Sequence, residues 1–209
     1  MDSLLKDAFK VKASKIIEVG KFLDRKGWVP ATSGNLSMRL TEQYIAITTS
    51  GKHKGRLTES DIMIIDIEGR ALEEKRPSTE TPLHTILYQW KPSINAVFHT
   101  HSLLATVLSN VFHEYIRIEN LEILKSLPGI TTHETSICIP IFENDQDMPA
   151  LSQRIFAYLQ GNEQIYGYLL KGHGLYTWGS SASEALHHLE ALEFLFEVKH
   201  HELILPRIF

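Results

Sequence analysis

The spacing of apolar and polar positions divides the chain into short elements. Leu4, Leu5, Ala8, Phe9, Ala13, Ile16, Ile17 and Phe22 recur at helical spacing and predict an amphipathic first helix, closed near Gly27. YIAITTS (44–50) and DIMIIDIEG (61–69) read as strands, with the loop GKHKGRLTES between them. TPLHTILYQW (81–90) reads as a helix that Thr81 or Ser78 can cap and Pro92 stops. INAVFHTHS (94–102) reads as a strand, LLATVLSN (103–110) as a short helix, and EILKSL (122–127) as a short, helix-compatible segment. SICIPIF (136–142) is a strand and PALSQRIFAYLQG (149–161) a helix ending at Gly161. QIYGYLLKGHGLYTWG (164–179) reads as a hairpin with KGHG as its turn, and residues 180–203 as a long helix with a serine cap and an acidic start. Strands and helices mix without strict βαβ alternation. The expectation is α/β: a layered single domain over 1–209, its central mixed, largely antiparallel sheet flanked by helices.

Composition narrows this picture. A length of 209 residues and 43% apolar content suit one domain with a sizeable core. Net charge is −4 and the lysines and arginines are scattered, which argues against a nucleic-acid or membrane partner while leaving room for a local anion pocket. No apolar run approaches the ~20 residues of a membrane span, and MDSLLKDAFKVKASK lacks a signal-peptide core. The lone Cys138 makes no internal disulfide, which fits a cytoplasmic location; its flanks predict a small buried strand residue. Of 11 histidines, His187, His188, His200 and His201 fall on the long helix as expected surface or interface residues, and His53, His113 and His133 in polar loops. His84, His99, His101 and His173 are left for chemistry.

In AVFHTHS (96–102), strand alternation points His99 and His101 the same way. Two imidazoles on one face are a common way to hold a divalent metal such as Zn²⁺; a catalytic zinc takes three protein ligands and leaves a position open. His173, between Gly172 and Gly174, is the natural third, against the alternative of an unrelated turn histidine. In PSTETPLH (77–84), Ser78 and Thr79 precede a helix start that can hold an anion. Glu80 reads either as a helix-capping acid or as a general base beside a metal. His84, one turn on, reads as packing rather than as a ligand. SGNLSMR (33–39), with Gly34, Asn35 and Ser37, and TTSGK (48–52), with Ser50, Gly51 and Lys52, look like anion-binding loops.

SGNLS, TTSGK, PSTE, HTHS and GHG, in this order, resemble the class II aldolase/adducin family of zinc aldolases, epimerases and dehydratases. The resemblance runs from about residue 10 to 203 and implies one Zn²⁺ per subunit on His99, His101 and His173. It also implies Glu80 as the family glutamate and a phosphate site at Gly34, Asn35, Ser50, Gly51, Ser78 and Thr79. Adducin-like members lack the metal ligands, which this chain keeps. TTSGKHKGRLTESDIMIID, ENLEILKSL and TWGSSASEALHHLEALEFLFE look most like the dehydratase branch of methionine salvage. That likeness makes Glu122, in EILK, a second acid/base candidate beside Glu80. It further implies a small phosphorylated ketose as substrate and a homotetramer with active sites at subunit junctions. An aldolase, an epimerase or a non-catalytic adducin-like module are the alternatives, and the tail ILPRIF is a candidate interface or site cover.

Overall fold

In the computed structural model, which describes residues 3–205, the first apolar stripe forms α1 (Ser3–Arg25) and buries Ala13, Ile16, Val19, Gly20 and Leu23. There follow β1 (Asn35–Arg39), β2 (Tyr44–Thr48), β3 (Ile62–Asp66), α2 (Thr81–Trp90), β4 (Ala96–Thr100) and α3 (Leu103–Val111). The chain continues with β5 (Tyr115–Glu119), β6 (Ser136–Phe142), α4 (Met148–Gln160), β7 (Gly167–Leu170), β8 (Gly174–Gly179) and α5 (Ala182–Ile204). Single 3-10 turns occupy Lys54–Arg56, Glu59–Asp61 and Glu122–Ser126.

The strands form one eight-stranded sheet in the order β3-β2-β1-β4-β8-β7-β6-β5. β6 and β7 pair in parallel and every other neighbouring pair is antiparallel. Period-two alternation sends Ala96 and Phe98 of β4 to one face and Val97 and His99 to the other. On the first face Leu36, Phe98 and Leu175 pack with Ile16 of α1, Leu108 of α3, and Leu192 and Phe196 of α5. On the second, Ile45, Ile47, Val97, Tyr168 and Tyr176 pack with Leu83 and Leu87 of α2 and Leu151 and Ile155 of α4. Central β4 is therefore buried along its whole length, and anything it carries sits in a low-dielectric wall.

Several sequence expectations change. SGNLSMR is not all loop: residues 35–39 are β1, paired on both sides. Its alternation is hidden because Asn35 and Ser37, which share a face, are polar yet buried. β5 goes unpredicted although YIRIE alternates, with Ile116 and Ile118 buried and its other three residues exposed on an edge strand. Cys138 is exposed rather than buried, because Ile137 and Ile139 take the inward positions of β6. His188 is 5% exposed, and its Nδ1 donates to the Trp178 carbonyl at 2.7 Å, so it is no surface residue. The N-cap of α2 is Glu80 rather than Ser78 or Thr81, and its side chain makes no capping bond. Of the ILPRIF tail, residues 206–209 lie outside the described residues.

Candidate metal and active site

Three parts of the fold aim four side chains at one point. β4 supplies His99, and His101 follows one residue past the strand end. The β7–β8 turn supplies His173 and the start of α2 supplies Glu80. Their ligand atoms lie within 4.8 Å of one another. The Nε2 atoms of His99 and His101 are 2.9 Å apart, as are those of His101 and His173, and His99 and His173 are 3.3 Å apart. Glu80 Oε1 is 2.9 Å from His173 Nε2 and Oε2 is 3.7 Å from His99 Nε2.

The chain brings these groups together for local reasons. In the hairpin turn Gly172 takes φ +62°, which L side chains rarely adopt. At Gly174 a Cβ would stand 1.9 Å from the Thr100 carbonyl oxygen, so glycine alone lets β8 close against the end of β4. The GHG spacing thus delivers His173 to the strand-borne pair. His99 stacks on Tyr176, its partner across β8, with centroids 3.9 Å apart and planes 12° apart. That stack fixes the ring plane.

Proton positions say what the cluster is for. His99 Nδ1 faces the Leu175 carbonyl at 2.9 Å. A carbonyl can only accept, so Nδ1 carries the proton and Nε2 points a bare lone pair into the cluster. His173 Nδ1 donates likewise to Asn144 Oδ1 at 3.2 Å. Lone pairs and a carboxylate facing one another at these distances repel. One proton can bridge a single pair; one divalent cation satisfies the whole set. Tetrahedral zinc with bonds of ~2.0–2.1 Å places donors roughly 3.3 Å apart, close to the spacing found here. Burial holds His99 well below the usual imidazole range and, with the charge of His173, brings His101 down to about 4. Burial opposes ionisation of Glu80, but the imidazoles of His99, His173 and His101 hold it down to about 2. Neutral imidazoles at His99 and His101 and an ionised carboxylate at Glu80 are protonation states a metal requires, so the residues present fit a divalent metal.

Glu80 is not spent on capping its helix. Its Oε2 takes a hydrogen bond from the Asn35 amide, whose nitrogen also reaches Ser78 Oγ at 3.4 Å. His84 is wholly buried on the next turn. Its Nδ1 bonds Ser37 Oγ at 2.8 Å and its ring meets Tyr176 edge-on, so it packs behind the cluster as expected.

The candidate phosphate residues gather at the same end of the sheet. Gly34 abuts the carbonyl of His99. Ser50 N donates to the Arg76 carbonyl at 3.3 Å, which ties the 50–51 turn to the segment carrying Ser78 and Thr79. Asn35 links that segment to β1. Ser50, Gly51 and Thr79 are exposed. Glu122 is elsewhere. It stands on the 3-10 turn after edge strand β5, its side chain 70% exposed, paired with Lys125 and, at 3.6 Å, with His133. Hydrogen bonding from Lys125 lowers its carboxyl from the ordinary value. It is not among the groups that meet at the cluster. Asn144 and Tyr176 orient His173 and His99 without having been singled out; the alternation in GLYTW signals Tyr176, and nothing in ENDQD signals Asn144.

The chain is similar to known proteins over most of its length. The family profile for the Class II Aldolase and Adducin N-terminal domain matches residues 14–200. A methylthioribulose-1-phosphate dehydratase of Methylococcus capsulatus is 49% identical over 191 residues, covering 91% of this chain and 94% of that one. Another, from Pseudomonas aeruginosa, is 49% identical over 195 residues, covering 92% and 95%. Among solved structures, L-fuculose-1-phosphate aldolase from Thermus thermophilus superposes with TM-score 0.72 at 25% identity, covering 98% and 97%. YgbL from Klebsiella pneumoniae gives 0.79 at 22% identity, covering 95% and 93%, and supports the fold alone.

Proposed function

From the premise that the chain belongs to the class II aldolase and adducin family, we propose that it is a zinc-dependent dehydratase. Its substrate would be 5-methylthioribulose 1-phosphate and its product 2,3-diketo-5-methylthiopentyl 1-phosphate, a step of methionine salvage. The observation that carries this reading is near-full-length likeness, at 49% identity, to relatives bearing that dehydratase name. The convergent histidine set supports it.

His99, His101 and His173 hold the metal, and the nitrogen and carboxylate donors suit zinc. When bound, zinc supplies Lewis-acid polarisation of the C2 carbonyl, which makes the neighbouring C3–H more acidic. A carboxylate of the protein takes the C3 proton. The electron pair left on C3 moves toward C4 as the C4 hydroxyl leaves with a proton as water, and ketonisation completes the product. Asn35 holds Glu80 in place beside the histidines. Gly34, Asn35, Ser50, Gly51, Ser78 and Thr79 take the phosphate, which fixes the direction of the sugar. We assign the proton transfer to Glu122. Because that residue lies on an edge turn of its own chain, it would act at the metal of a neighbouring copy, in a cytoplasmic homotetramer.

One observation favours a second reading. Glu80 already faces His173 and His99, as an acid/base for retro-aldol cleavage or epimerisation would. Two variants separate the readings. Glu122→Gln is expected to keep about one zinc per chain while kcat for dehydration falls roughly a thousandfold, within the range for loss of an acid/base. Full activity in Glu122→Gln would transfer the role to Glu80. His99→Ala is expected to lose the metal, measured by elemental analysis.

A further inference from the structure

TTSGK offers Lys52 as the lysine beside a phosphate loop, but Nζ of Lys52 is already 2.9 Å from Asp61. A different lysine lies underneath. Lys54 is 1% exposed. Its Nζ donates to the Thr32 carbonyl at 2.8 Å and to the Lys52 carbonyl at 2.6 Å. Thr32 precedes SGN and Lys52 follows SG, so one ammonium group joins two of the three candidate phosphate segments. An ammonium has three N–H donors; among the described residues the third has no partner, and no carboxylate pairs with the charge. A buried cation with no carboxylate in contact is costly, and carbonyl dipoles with the more distant charge of Glu80 offset only part of that cost. The fold holds it there deliberately. At Gly20 of α1 a Cβ would stand 2.4 Å from the Lys54 carbonyl oxygen, and at Gly55 one would meet Asp24, so two glycines let the Lys54–Arg56 turn press against the helix.

We propose that Lys54 is a positioning residue for the phosphate end of the substrate, pinning the 30–34 and 49–53 loops together and carrying the positive charge that a bound phosphate balances. The proposal rests on the phosphate loops assigned above. Burial lowers the Lys54 ammonium to about 8, with the charge of Glu80 opposing, so it is cationic at neutral pH.

The test uses zinc-loaded full-length protein, with inorganic phosphate as the binding probe. In Lys54→Met, the phosphate Kd by calorimetry and the KM for the phosphorylated ketose are expected to rise roughly tenfold or more, with kcat within about threefold and zinc content unchanged. Lys54→Arg, which keeps the charge, is expected to recover most of the phosphate affinity. A Kd and KM within about twofold of the parent in Lys54→Met, or a loss confined to kcat, would overturn the proposal. Should Lys54→Met not fold, hydrogen exchange on the unmodified protein decides. Added phosphate is expected to slow the amides of 33–35 and 50–53, and unchanged exchange there would overturn the proposal. The calorimetric arm needs no turnover, so a chain that binds phosphate through Lys54 yet dehydrates nothing would sink the dehydratase reading and leave this one standing.

Discussion

At the scale of single residues, the placement of one proton decides what the cluster can hold. With Nδ1 of His99 committed to the Leu175 carbonyl, Nε2 is left with a lone pair that can ligate and cannot donate. The same strand segment carries a second buried titratable contact. Glu193 of α5 is 4% exposed and takes a 3.5 Å hydrogen bond from Thr100, between the candidate ligands His99 and His101. Burial pushes its carboxyl up to about 7, against hydrogen bonds from Ser102 and Thr100. The unfolded chain releases this proton near 4.5, while the fold keeps it until about 7. Stability therefore falls as pH rises through that window and levels off above it, by a margin on the order of 3 kcal/mol. Glu193→Gln, which cannot ionise, is expected to unfold at higher denaturant concentration than the parent at pH 8 and at nearly the same concentration near pH 4.5. Equal midpoints at both pH values would contradict this. Residues of this kind divide sharply in how well the sequence reveals them. His99, His101 and His173 are legible because alternation and the GHG turn carry geometric meaning. Lys54 is not, because a lysine between polar residues reads as solvated and only the packing of α1 on its turn buries it.

At the scale of elements, the site depends on close approaches that small residues permit. Gly20 is the sharpest case. Helix propensity alone predicts that Gly20→Ala stabilises α1 by ~1 kcal/mol. The clash of the new Cβ with the Lys54 carbonyl opposes this, and overpacking costs roughly 1–3 kcal/mol. The expected result is a net loss of stability together with weaker phosphate binding, read by denaturant titration and by calorimetry with phosphate. A more stable Gly20→Ala with unchanged phosphate affinity would show that the turn tolerates displacement. The helices and most strands follow their apolar periodicity closely. β1 does not, for a physical reason: its inward positions Asn35 and Ser37 bond to Glu80 and His84, so polar chemistry occupies positions where a strand would ordinarily show apolar residues.

At the scale of the whole molecule, the sheet order separates the two candidate acids. β4, which leads into the clustered histidines, is central, while Glu122 follows β5 at the far edge. One chain alone unites the histidines with Glu80 but not with Glu122. If Glu122 serves a neighbouring copy, His99→Ala and Glu122→Gln chains, each inactive, are expected to regain part of the parental activity when co-assembled, since some junctions then pair an intact metal site with an intact glutamate. No recovery, with mixed assembly verified by mass, would place both roles within one chain. The most direct measurement is product identification. Zinc-loaded protein is incubated with 5-methylthioribulose 1-phosphate and with other ketose 1-phosphates, and the products are identified by mass. The account predicts loss of one water from 5-methylthioribulose 1-phosphate; an untouched substrate, alongside cleavage of another sugar phosphate into two fragments, would contradict it.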